Sequence, residues 1–364
     1  MLVAGRGIAM AYMLRGQYQL TTFIFELCAA LLILLLLQSV DWLLTKLIRR
    51  IFGDGSRLRR FAGSGLRLLV VGLFFGTFLL ATVQMHPPKV ACRLTPSNEG
   101  MDFSTHRVTT DDGVEISAWV IPSGQPNRAT IVVAHGLGAN KQNFCHIGKL
   151  HHELGLNVVM FDFRAHGDSQ GHTCTLGIRE ANDVKAGYDL AVSQFPNQPV
   201  YAWSTSMGGA ATLRAAAEFD IFDGLVVDAT YSSVKSIAMN TKFCYLGPLD
   251  SAAWNLSRLW FGAYTGLDIE SFGPERDITR IEKPILLIHG TIDSILPMNE
   301  SRQLHAAANG NTDLWIVDGA GHCGAYLHPE YADRVLAFVQ DRSSSPQVVT
   351  TGVGLQPTFV RPQP

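Results

Sequence analysis

VYAWSTSMGGAAT, residues 200–212, is the stretch on which the reading of this chain turns. It is apolar and β-prone through Trp203, becomes small and polar at Ser204-Thr205-Ser206, and continues in the helix-compatible run Met207-Gly208-Gly209-Ala210-Ala211. A serine directly after a strand and directly before a helix sits on a sharp turn that exposes its hydroxyl, and small neighbours let the two backbones approach. The usual pattern is G-x-S-x-G; here Ser204 replaces the first glycine and Gly208 keeps the second. Taken alone, the same residues would also suit Ser206 as an ordinary helix N-cap.

Segments on either side favour the first reading. IVVAHGLGAN (131–140) ends an apolar run in a glycine-rich turn suited to aiming backbone N–H groups at a developing oxyanion, with Leu137 and Met207 as the expected donors. PILLIHGTIDSILP (284–297) puts Asp293 just beyond a buried run, and WIVDGAGHCGAY (315–326) puts His322 beyond the last one. Serine is a poor nucleophile at neutral pH. A histidine must take its proton, and a carboxylate must hold the imidazole tautomer and stabilise the imidazolium. Ser206, Asp293 and His322 follow one another along the chain, each just beyond an apolar run. Asp228, in DATYSS after another apolar run, is a rival for the acid.

Working outward, apolar runs at 130–134, 157–162, 200–204, 224–228, 285–289 and 314–317 alternate with amphipathic stretches at 178–194, 207–218 and 330–340. Strands alternating with helices predict an α/β fold with a mostly parallel central sheet and helices on both faces. A hairpin over 108–121 is expected through Asp111-Asp112-Gly113. Residues 231–283 interrupt the alternation with helical, aromatic-rich sequence and read as a cap insertion. The α/β domain is expected over 92–342. The tail 343–364, rich in Ser, Pro, Thr and Gly, is expected to be disordered.

The N-terminal quarter differs. The chain of 364 residues is 47% hydrophobic and 16% charged with mean hydropathy +0.14, which points to a segment in lipid. LLVVGLFFGTFLLATVQM (68–85) carries no charge, and the core LCAALLILLLL (27–37) is flanked by Glu26 and Asp41. Residues 1–88 are therefore expected to form an anchor with two transmembrane helices, at about 23–44 and 66–85. Lys46, Arg49, Arg50, Arg57, Arg59, Arg60 and Arg67 lie between the cores of the two spans, so the positive-inside rule makes that loop cytoplasmic. In a bacterium the anchor would lie in the inner membrane and the following domain in the periplasm. A net charge of −2 gives no reason to expect a nucleic-acid partner. Neither the six cysteines, which form no CxxC pair, nor His135, His146, His151 and His152 match a metal-ligand spacing.

From about Phe103 to Gln340, through HGLGANK, FDFRAHGDS, SMGGAAT and HGTIDSILP, the chain resembles the α/β-hydrolase superfamily. It is similar to bacterial membrane-anchored members and to the monoacylglycerol-lipase-like and dipeptidyl-peptidase-like groups. The resemblance implies an α/β-hydrolase fold with a cap, Ser206 as nucleophile, Asp293 as acid and His322 as base. It also implies an oxyanion hole at Leu137 and Met207, and no metal or organic cofactor. FDFRAHGDSQG (161–171) would then be a structural loop rather than a second charge relay. The expected substrate is a small-molecule or lipid acyl ester or thioester, with a peptidase or a non-catalytic membrane binding protein as alternatives.

Overall fold

The computed structural model of the protein describes residues 38–40, 42–51, 57–124, 129–240 and 247–343. Backbone contacts divide the chain into two units, Met1–Leu79 and Leu80–Pro364. In the first, the described residues are helical at 38–40 and 42–51 and in most of helix α1, which runs Arg57–Met85 and continues into the second. Among the described residues, Ser64–Met85 is the one stretch long and apolar enough to cross a membrane by length and composition, with 22 residues and a mean hydropathy of 2.2. The span expected at 66–85 falls within it. The span expected at 23–44 lies mostly outside the described residues, as does the tail from 344 onward.

The second unit is built on an eight-stranded sheet in the order β1-β2-β4-β3-β5-β6-β7-β8. Its strands are β1 Ser104–Thr109, β2 Glu115–Ile121, β3 Thr130–Ala134, β4 Asn157–Phe161, β5 Val200–Thr205, β6 Gly224–Asp228, β7 Ile285–Gly290 and β8 Thr312–Val317. The β1–β2 and β2–β4 pairs are antiparallel and the other pairs are parallel. Strands β3 to β7 are buried at every position, which is why they read as unbroken apolar runs rather than alternating ones. Strand β1 starts earlier than its sequence suggests because Ser104 to Arg107 sit at the polar, largely exposed sheet edge. The turn joining it to β2 uses Gly113 at φ +83°, a left-handed conformation that glycine adopts without a side-chain clash.

The helices after α1 are α2 Cys145–Glu153, α3 Glu180–Gln194, α4 Met207–Phe219, α5 Val234–Asn240, α6 Asp250–Thr265, α7 Pro274–Asp277, α8 Asn299–Ala307 and α9 Tyr331–Ser343. Ile131 and Val133 share a core with Ile147 of α2 and with Tyr331, Val335 and Phe338 of α9. The intervening Val132 points the other way, with Phe161, toward Gly187 of α3. Both faces of the sheet are thus covered. The insertion is helical, as expected, in α5, α6 and α7. Its Trp254, Trp260 and Phe261 are buried. Because β3 to β8 run parallel, their carboxyl ends share one edge, where such sheets place their chemistry.

Candidate active site

Strand β5 and helix α4 meet at Ser206, whose backbone sits at φ +53°, ψ −123°. A non-glycine residue there carries strain of about 1–3 kcal/mol and must be held by its surroundings. Two bonds from the end of β6 hold it: Ser206 N–H donates to the Asp228 carbonyl at 3.1 Å, and Thr230 Oγ1–H donates to the Ser206 carbonyl at 2.5 Å. Small residues are obligatory beyond it. A Cβ on Gly208 would overlap the Ala134 and His135 carbonyl oxygens. Ser204, in place of the usual glycine, is fully buried and its Oγ lies 3.4 Å from the Val226 carbonyl. The elbow geometry survives the replacement.

The predicted acid and base meet directly. His322 Nδ1–H donates to Asp293 Oδ2 at 2.7 Å, and the N–H groups of Ile295 and Leu296 donate to Oδ1 at 2.8 and 2.9 Å. His289 adds a further contact: its Nε2 lies 3.0 Å from the Leu296 carbonyl and 3.4 Å from Asp293 Oδ2. Both are acceptors, so Nε2 carries a proton. Burial works to raise the Asp293 pKa, but the hydrogen bonds from His289 and His322 outweigh it and hold the carboxyl below the usual carboxylate range. Asp228 ends up in the opposite state. Burial pushes it up to about 7, and its Oδ2 has no hydrogen-bond partner among the described residues.

The loop carrying His322 reaches the elbow through adjacent residues, with Cys323 Sγ 2.6 Å from Thr205 Oγ1. Among the described residues Ser206 Oγ makes no hydrogen bond to His322. Such bonds are often long before the reacting complex forms. The His135–Gly138 turn also abuts the elbow, since a Cβ on Gly136 would stand 3.3 Å from the Ser206 Cβ. The N–H groups of Leu137 and Met207 donate to no acceptor among the described residues.

The family model for serine aminopeptidase, S33, matches residues 125–270. The uncharacterized protein YqkD of Bacillus subtilis is 23% identical over 295 residues, covering 76% of this chain and 95% of its own. The uncharacterized membrane protein YNL320W of Saccharomyces cerevisiae is 21% identical, covering 68% and 83% respectively. Among solved structures, the Pyrococcus furiosus esterase Pf2001 superposes with a TM-score of 0.58 at 26% identity, covering 71% of this chain and 99% of that one. The chain has the α/β-hydrolase fold.

Two parts of this candidate site are not apparent in its motifs. His166 Nε2 accepts the Gly138 N–H at 3.1 Å while its Nδ1–H donates to the Arg164 carbonyl at 2.8 Å, so a neutral imidazole pins the turn that bears Leu137. His135 is bound in the same way between the Phe163 N–H and the Gly136 carbonyl. Burial lowers the pKa of both histidines, matching their neutral bonding pattern. The rest of FDFRAHGDSQG is a buried ionic frame: Arg164 clamps Asp112 and Asp183, and Asp162 pairs with the fully buried Lys141. Cys92, Asp162 and Asp168 bring three potential ligand atoms together, but Lys141 Nζ stands among them as the cation, 3.6 Å from Cys92 Sγ and 3.2 Å from Asp168 Oδ2. Cys92 and Cys145 are free thiols. A cavity of about 370 Å³ in the insertion, lined by Ser232, Lys235, Trp254, Glu270, Phe272 and Arg276, includes none of the five predicted site residues.

Proposed function

We propose that the protein is a serine hydrolase that cleaves a carboxylic ester or thioester through an acyl-enzyme on Ser206. The carrying observation is the His322–Asp293 hydrogen bond, brought beside a serine held at positive φ. Ser206 Oγ attacks the acyl carbonyl as His322 takes its proton. The N–H groups of Leu137 and Met207 receive the oxyanion. His322 then protonates the leaving group, and afterwards takes a proton from the water that releases the acid. Asp293, kept ionised, fixes the imidazole tautomer and stabilises its cationic form. The Pf2001 similarity favours esters; the S33 family model favours amide bonds as the second reading. Comparing a p-nitrophenyl ester with an aminoacyl anilide separates them, because amide cleavage demands protonation of a poor leaving group.

The reading includes anchoring by α1 with the hydrolase on the side opposite the basic residues 46–67. Right-side-out membrane vesicles carrying the full chain, treated with a membrane-impermeant fluorophosphonate, test both points. Labelling is expected in wild type and lost in Ser206→Ala and His322→Ala. Absence of labelling after detergent is added to folded wild type would leave the binding-protein alternative. Labelling only after detergent would reverse the orientation.

A further inference from the structure

The end of α1 belongs to the hydrolase unit and docks beside the site. From Leu80 onward, Ala81 and Met85, one turn apart on a single face, are buried, while Leu80 and Val83 remain exposed. The Met85 carbonyl accepts the Cys174 N–H at 2.7 Å, and His86 Nδ1 lies 2.7 Å from the His172 carbonyl. The His86 ring meets Tyr264 of the insertion edge-on at 5.6 Å. Cys174 in turn sets its Sγ 3.3 Å from Met207 Sδ, both fully buried. One residue therefore links the last residue of the apolar helix to a proposed oxyanion donor.

The same edge of the sheet carries exposed apolar side chains. Leu137 follows β3, Ile292 and Ile295 flank Asp293 after β7, and Leu327 follows His322 after β8; they are 38%, 66%, 53% and 74% exposed. Single apolar residues on a surface are ordinary, but here every loop bearing a proposed triad or oxyanion residue beyond the elbow carries one.

We propose that the catalytic mouth lies at the membrane surface and that the substrate is an ester-linked acyl lipid drawn from the leaflet in which α1 ends. This rests on the serine-hydrolase reading above. Ser206 Oγ bonds to the acyl carbon as the ester C–O bond breaks. The Oγ proton passes through His322 to the departing lipid alcohol. Water then cleaves the acyl-enzyme, giving a fatty acid and free Ser206.

The test uses the full chain in proteoliposomes with a fluorogenic ester phospholipid, either in the enzyme's own vesicles or in separate ones, and p-nitrophenyl acetate as the soluble reporter. Tethering enzyme and substrate to one bilayer is expected to speed lipid-ester cleavage by about 100-fold over separate vesicles. Leu327→Glu is expected to lower the own-vesicle rate about tenfold more than it lowers the p-nitrophenyl acetate rate, because a charge replaces an apolar contact with lipid. Equal rates in own and separate vesicles, or Ser206-dependent turnover of the acetate without the phospholipid, would overturn the proposal and leave the hydrolase reading standing. Equal losses on both substrates in Leu327→Glu would overturn the membrane-facing mouth. If wild type cleaves neither substrate, the hydrolase reading itself falls.

Discussion

Strands β6 and β7 lie side by side in parallel, and each delivers an aspartate to the same edge of the sheet, yet the two carboxyls end in opposite states. Asp228 is the last residue of β6, fully buried, with one oxygen that meets no donor among the described residues. Asp293 stands beyond β7 on a loop that curls back over it, so that two backbone N–H groups and two imidazoles face its carboxylate. The strand end gives a carboxyl its place, but only the loop gives it the donors that keep it charged. A catalytic acid must be ionised to stabilise an imidazolium, and this is the ground on which Asp293 rather than its neighbour is proposed for that role.

The sharpest way to break this contrast is to remove one carboxylate at a time. Asp293→Asn is expected to lower kcat for ester hydrolysis by about 10⁴-fold, as loss of the orienting carboxylate does in other triads. Asp228→Asn is expected to retain most of the turnover. Steady-state kinetics on a p-nitrophenyl ester decide it. If Asp228→Asn is the more damaging change, the acid has been placed on the wrong strand.

A third carboxylate extends the comparison. Asp162 is as deeply buried as Asp228 but fully partnered, by the Lys141 ammonium and by the N–H groups of Lys141 and Asp168. Lys141→Ala would strip its cation and leave a buried charge held by backbone N–H groups. Breaking a buried pair in this way costs about 3–5 kcal/mol. Urea unfolding of the detergent-solubilised protein should show a loss of that size, and a loss below about 1 kcal/mol would mean that water already reaches the pair.

These contrasts also mark how far the sequence could be read. The parallel strands were legible because TIVVA and GLVVD are buried on both faces, and the elbow because SMGG can serve as little else once Asp293 and His322 follow in order. The edge strand β1 was cut short because its first four residues are polar. The choice between Asp228 and Asp293 leaned on resemblance, since both follow apolar runs and the deciding donors come from backbone geometry. His166 on the Gly138 N–H and Thr230 on the Ser206 carbonyl join residues far apart in the chain. Periodicity carries no trace of such pairs. The docking of Met85 against Cys174 was hidden for the same reason, because an apolar helix announces its length but not what its last turn touches.

The smallest expected effect is also the most direct probe of the Asp228 environment. In the folded protein Asp228 holds its proton up to about pH 7, whereas the ordinary value is 3.8. Between these values the folded state binds more protons than the unfolded one, so stability from this group is fully present below the lower value and is lost as pH rises through the upper. Asparagine is neutral throughout and carries no such loss. Asp228→Asn should therefore stabilise the protein relative to wild type, and by about 2 kcal/mol more at about pH 8 than at about pH 5. Paired unfolding curves at the two pH values measure the difference. A gap that is unchanged or reversed would mean that Asp228 is ionised in the folded protein, which would remove the electrostatic contrast with Asp293 and return Asp228 to contention as the acid.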